Sequence, residues 1–136
     1  MRARLAQREI ALAGVALLAA LVSLALVGGR SKGGTSLPKP AGAWYPAVAG
    51  VRPAGGFGKK TACGEVLRPT TVGVSHPVLP CGAKIYIEFD GRHVLTQVID
   101  RGPFVPGREL DLTAPLAERL GLDGVQRVRW AYASAP

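Results

Sequence analysis

The chain has 136 residues, 48% of them hydrophobic, and 17 Lys and Arg against 9 Asp and Glu give a formal net charge of +8. That length allows one domain, and less once the termini are set aside. The charge excludes little by itself, because residues 1–40 carry six bases and one acid while residues 41–136 carry eleven and eight; no basic run interleaved with aromatics appears, so nucleic acid is not an expected partner.

The first element is apolar. Ile10 to Gly29 is an uncharged stretch of Ala, Leu and Val, preceded by Arg2, Arg4 and Arg8. About 20 such residues cross a ~30 Å hydrocarbon core as a helix, and the basic flank predicts a cytoplasmic N-terminus. A cleavable signal peptide usually has a shorter apolar region, about 7–15 residues, followed by a small-residue site. Here the only passable site, Ser23-Leu24-Ala25, lies inside the run, and no cysteine follows to carry a lipid. The reading is a basic segment over 1–9, a single transmembrane signal anchor over 10–28, and the rest of the chain outside the cell membrane. A removed signal peptide, with a secreted product, is the alternative. A Gly/Pro/Ser linker over 29–42 then leads into a domain over 43–133.

From there the signals are β. Gly50 to Gly58 carries four glycines and a proline and reads as a loop or the approach to a strand. Thr70 to Ser75 is a short strand candidate. Ala83 to Phe89 alternates, with Ile85, Ile87 and Phe89 on one face, and Asp90-Gly91 is a two-residue hairpin signal before a returning strand from His93 to Ile99. Glu109 to Leu112 and Val125 to Tyr132 read as two more strands. One helix stands out between them, from about Ala114 to Leu120, with Thr113 as N-cap, Pro115 in the first turn and Gly121 as its stop. Short strands, many Gly/Pro turns and one helix predict an all-β fold, a small closed barrel.

Cys63 and Cys81 are the only cysteines. Beyond an export signal two cysteines read as one disulfide. A metal site using Cys63, His76, Cys81 and His93 is the competing reading, and its spacings match no common paired zinc pattern. No metal or cofactor is expected.

The segment from Asp100 to Leu112 places two carboxylates, Asp100 and Asp111, on either side of a Gly/Pro loop flanked by Arg101 and Arg108. Brought together, two acids beside arginines provide one route to a raised and a lowered pKa, as acid/base chemistry on a glycosidic bond requires. The plainer reading of the spacing is a turn whose acids pair with Arg101 and Arg108, and structural ion pairs are the commoner case.

Several motifs in this order carry a resemblance: Thr61-Ala62-Cys63-Gly64-Glu65, Gly73-Val74-Ser75-His76, Leu79-Pro80-Cys81-Gly82, Gly91-Arg92, Asp100-Arg101-Gly102-Pro103-Phe104 and Gly107-Arg108-Glu109-Leu110-Asp111-Leu112-Thr113. Over about Trp44 to Tyr132 the chain resembles the RlpA-like double-psi β-barrel family, which includes septal lytic transglycosylases; the same barrel occurs in expansins. The resemblance implies a six-stranded double-psi barrel with one short helix. It also implies a peptidoglycan lytic transglycosylase, a lyase that cleaves the bond between N-acetylmuramic acid and N-acetylglucosamine and leaves a 1,6-anhydro end. The alternative it leaves open is a non-catalytic wall-glycan-binding or expansin-like module.

Glu65, His76, Asp100 and Asp111 fall on the family's functional positions. Asp111 is the first candidate for the proton-transferring acid and Glu65 the second, with His76 orienting one of them or binding a sugar hydroxyl. Trp44, Tyr45, Phe104 and Arg101 are candidate substrate-binding residues, against the plainer readings of barrel-end packing for the aromatics and loop-holding for Arg101. The chain departs from the pattern where an aromatic and an acid commonly follow the glutamate: Val66, Leu67 and Arg68 stand there. The usual Trp-Tyr-Gly opening reads Trp44-Tyr45-Pro46. Expected partners are peptidoglycan glycan strands and, through the N-terminal helix, the membrane.

Overall fold

The computed structural model describes residues 37–134. The basic segment expected over 1–9, the signal anchor expected over 10–28 and most of the linker lie outside the described residues.

Six strands close into a barrel: β1 (Tyr45–Val51), β2 (Val74–Ser75), β3 (Lys84–Phe89), β4 (Arg92–Asp100), β5 (Leu110–Leu112) and β6 (Val125–Tyr132). Around it they run β1-β5-β2-β4-β3-β6. Two pairs are parallel, β1 with β5 and β2 with β4, and the others are antiparallel. The topology is consistent with the double-psi barrel.

The β3–β4 hairpin forms as its sequence predicts. Phe89 pairs with Arg92, leaving Asp90 and Gly91 as the loop, both at positive φ (48° and 75°). Positive φ at both central residues defines the type I′ turn, whose twist matches that of the strands. On β3, Ile85 and Ile87 are fully buried, and Val98 answers them from β4. Each such side chain contributes roughly 1.5–3 kcal/mol by leaving water.

The helix α1 (Ala114–Leu120) buries Leu116, Ala117 and Leu120 and closes the core. Thr113 occupies the N-cap position, but its hydroxyl does not cap the helix. It accepts the Gly73 N–H at 3.2 Å and so ties α1 to the start of β2.

Strand β1 is the element that local sequence does not announce. Tyr-Pro-Ala-Val-Ala-Gly-Val has little β propensity and contains both Pro46 and Gly50. It is a strand because β6 pairs with it from Tyr45 to Gly50 and β5 from Ala49 to Val51. The expected 70–75 strand shrinks to Val74–Ser75. The end of the expected linker is also drawn onto the barrel. Pro40 bridges Ala133, the Ala41 N–H donates to the Tyr132 carbonyl, and the Tyr86 hydroxyl donates to the Pro38 carbonyl.

Candidate active site

The end of β2 is where the candidate groups meet. In register, Ser75 has Asp100 of β4 on one side and Asp111 of β5 on the other, with Gly50 of β1 beyond Asp111. Two strand spacings, about 10 Å, therefore separate the aspartates across the sheet. Val74, Leu110 and Leu112 enter the core, so alternation turns Ser75 and Asp111 to the opposite face.

Asp100 is a hub. Its Oδ1 accepts the backbone N–H of Ala62 at 2.9 Å and of Arg101 at 2.8 Å, while Oδ2 accepts Arg52 Nη1 at 2.6 Å. The same Arg52 nitrogen lies 3.3 Å from Ser75 Oγ. Burial pushes the Asp100 pKa up, but the Ala62 N–H and the Arg52 guanidinium, with the Arg101 N–H, outweigh it and hold the carboxyl below its ordinary value. Asp100 is thus a fixed anion. The ion-pair partner expected for it was Arg101, the nearest in sequence, but its partner is Arg52, 48 residues away.

Arg101 instead straps the loop that follows β2. Its guanidinium donates to the carbonyls of His76 at 3.2 Å and Leu79 at 2.5 Å and lies 3.4 Å from Cys81 Sγ.

Asp111 pairs with Arg108, as the plainer reading of the spacing expects. Arg108 reaches it by lying across β1 at Gly50, where a Cβ would come within 2.9 Å of the guanidinium carbon. The acid ranked first is therefore committed to a guanidinium, and it must release that partner before it can reach a glycosidic oxygen.

Glu65 is exposed, and among the described residues its carboxylate has no hydrogen bond or ion pair. Its backbone is well fixed. The Thr61–Glu65 turn is closed by the Thr61 and Gly64 N–H groups and the Thr61 hydroxyl, and the Ala62 N–H anchors it on Asp100. Cys63 and Cys81 form a disulfide that ties this turn to the one carrying Cys81. Reducing it should cost the barrel about 3 kcal/mol in the chain-entropy picture. The check is a thermal melt with and without reductant, where a loss of order 10 °C or more is expected.

His76 follows Ser75 and is 8% exposed. Its Nδ1 accepts two backbone N–H groups, from Val78 at 3.1 Å and Leu79 at 3.0 Å. A nitrogen accepting two donors carries no proton, so the ring proton sits on Nε2. Burial lowers the pKa; Glu109 opposes this and Arg101 reinforces it, so the ring stays neutral and offers a donor.

The aromatics divide into two groups. Trp130 lies 6.3 Å from the His76 ring and 4.9 Å from Tyr45, which is half exposed, so these two extend the His76 side. Trp44 belongs elsewhere, 5.4 Å from His93 with the Arg129 guanidinium 5.7 Å over its ring. Arg129 also pairs with Glu88, whose pKa it lowers with help from His93. Phe104 is 82% exposed.

The fold therefore gathers Asp100, Ser75, His76 and Asp111 by strand register and tethers the Glu65 turn to them, but puts no other candidate in contact with the Glu65 carboxylate. Sequence reasoning missed Arg52, Ser75 and Trp130. Ser75 lay within a quoted motif, whereas nothing local marks Arg52.

A family profile described as lytic transglycolase matches residues 42–130. The chain belongs to this lytic transglycolase family. Among curated members it is 35% identical over 74 residues to the endolytic peptidoglycan transglycosylase RlpA of Yersinia pestis, covering 53% of this chain and 21% of that one. It is 40% identical over 72 residues to the probable endolytic peptidoglycan transglycosylase RlpA of Aquifex aeolicus, covering 50% and 32%. The aligned family region is thus a fifth to a third of those proteins. In three dimensions it is similar to the expansin of Clavibacter michiganensis, with a TM-score of 0.56 at 18% identity over 69% of this chain and 52% of that one. A mutant of that expansin in complex with cellohexaose gives 0.57 at 16%, with the same coverage. At these identities the likeness shows the fold.

Proposed function

We propose that this family member is a peptidoglycan lytic transglycosylase whose barrel cleaves the bond between N-acetylmuramic acid and N-acetylglucosamine. The observation that carries the reading is the convergence of the Glu65 turn, Asp100 and His76 at the end of β2, within the region that matches the family. Glu65 is the proton carrier, because its carboxyl is free while Asp100 and Asp111 are held by arginines. Its carboxyl protonates the leaving oxygen as the bond to C1 breaks. The muramyl 6-hydroxyl oxygen then bonds C1, and its proton returns to Glu65, so no water is consumed and a 1,6-anhydro end remains. Asp100 holds the loop that presents Glu65. His76 donates Nε2–H to a sugar oxygen, and Tyr45 offers a stacking surface beside it.

With residues 10–28 as a signal anchor the barrel is extracytoplasmic, where both the cystine and the substrate belong. The test is digestion of purified peptidoglycan by the full chain in detergent, read by mass spectrometry for 1,6-anhydromuropeptides; an intact-mass measurement of the same preparation decides between anchor and cleaved signal. A second reading is a wall-glycan-binding module of the expansin kind, and the arginine partners of both aspartates favour it. Binding to glycan with no anhydro product would select it.

A further inference from the structure

The side of the barrel opposite the candidate site carries the end of the linker. In the ring of strands β3 and β6 are neighbours, and each stands three places from a strand of the site, β6 from β2 and β3 from β5. Ile85, Ile87, Val128 and Trp130 enter the core, so alternation turns Lys84, Tyr86 and Glu88 of β3 and Arg127, Arg129 and Ala131 of β6 to the outside. The linker ends on this face. Pro38 meets the Tyr86 hydroxyl, Pro40 bridges Ala133, and Lys39 between them exchanges hydrogen bonds with Ser134. Leu37, the first described residue, is 72% exposed, and Trp44 packs on the same face against Arg129 and His93. The face is cationic. It presents Lys39, Lys84, Arg127 and Arg129 against one acid, Glu88, which Arg129 takes up. Lys39, Lys84 and Arg127 are exposed, and among the described residues they have no ion pair.

We propose that the outer face of β3 and β6 docks on anionic lipid headgroups of the membrane that holds the chain, which turns the β2 and β5 side away from the bilayer. The inference rests on the signal-anchor reading above and adds the surface that meets the lipid. From residue 28, where that anchor ends, to Leu37 the chain spans at most about 32 Å even when fully extended. It arrives on the β3–β6 face and not beside the site. Anionic headgroups complement the three unpaired bases. Near such a surface each base favours the docked state about fivefold, and the three together on the order of a hundredfold. Trp44 and Leu37 add an amphipathic ring and an exposed apolar side chain, which suit the headgroup boundary. A neutral glycan would give these bases no partner.

The experiment uses the full chain reconstituted into vesicles, either of equal parts phosphatidylcholine and phosphatidylglycerol or of phosphatidylcholine alone. Each preparation is doped with a lipid carrying a nitroxide on its headgroup, which quenches nearby tryptophan. The chain has two tryptophans. Trp44 stands on the docking face, whereas Trp130 is 9% exposed among core residues, so quenching reports Trp44, and Trp44→Phe verifies the assignment. With phosphatidylglycerol at low salt the quenching should be at least about twofold stronger than in phosphatidylcholine alone. It should drop to the phosphatidylcholine level at about 1 M salt, where the Debye length shrinks to about 3 Å. The triple variant Lys39→Gln, Lys84→Gln, Arg127→Gln, checked for folding by circular dichroism, should show that lower level at any salt. Equal quenching of the parent in the two lipids overturns the docking and leaves the anchor standing. Quenching that survives the triple substitution does the same. A chain that fails to float with the vesicles removes the anchor reading and the docking together.

Discussion

Asp100→Ala is expected to destabilise the barrel by about 2–4 kcal/mol, because it strands backbone N–H groups and one partner of a part-buried ion pair. Three donors lose their acceptor at once: the N–H groups of Ala62 and Arg101 and the Arg52 guanidinium. Urea denaturation measures the loss. The double variant Arg52→Met with Asp100→Leu should recover much of it, since replacing both partners by apolar groups removes the stranded charge. A stability within 1 kcal/mol of the parent for Asp100→Ala would mean that the hub contributes little.

The same hub sets an acid limit. The folded pKa of Asp100 is below its unfolded value, ~3.9, so the unfolded chain binds more protons as pH falls. Its contribution is complete above about pH 4 and is lost as pH drops through the folded pKa. His76, also lowered in the fold from ~6.5, acts in the same direction over a higher window. Stability measured against pH should therefore fall on the acid side, and Asp100→Asn should flatten its lower part.

Elements whose signals are local were legible in the sequence. The Asp90-Gly91 turn specifies its own hairpin, and Thr113, Pro115 and Gly121 bound α1. Strand β1 was not, because its pairing with β5 and β6 supplies what its own Pro, Gly and Ala residues lack. The site divides in the same way. Glu65, His76, Asp100 and Asp111 fall on motifs whose order marks the family. Their partners follow distance along the chain: Asp111 pairs three residues away with Arg108, while Asp100 finds Arg52 only after the barrel closes. Asp111 ranks ahead of Glu65 because its strand holds it toward the presumed groove, and strand placement has no means of registering that a guanidinium already occupies it.

Glu65→Gln is the sharper test of the chemistry. It keeps the shape of a side chain that touches none of the other candidates, so stability should move by less than about 0.5 kcal/mol, as for an exposed substitution. A general acid contributes about 10²–10⁴-fold, and the release of 1,6-anhydro product should fall by that factor while binding of glycan strands persists. Asp111→Asn forms the other arm. It removes the ion pair with Arg108, whose Nε is already buried without a partner, so its first effect should be on stability. If Glu65 carries the proton, Asp111→Asn keeps a larger share of activity than Glu65→Gln when both are assayed well below their melting temperatures. The reverse order would return the role to Asp111, with Arg108 swinging away from Gly50 when glycan binds. Parental rates from both variants would leave the barrel with no proton carrier among its candidates, and the wall-binding reading would then account for the same cluster of residues.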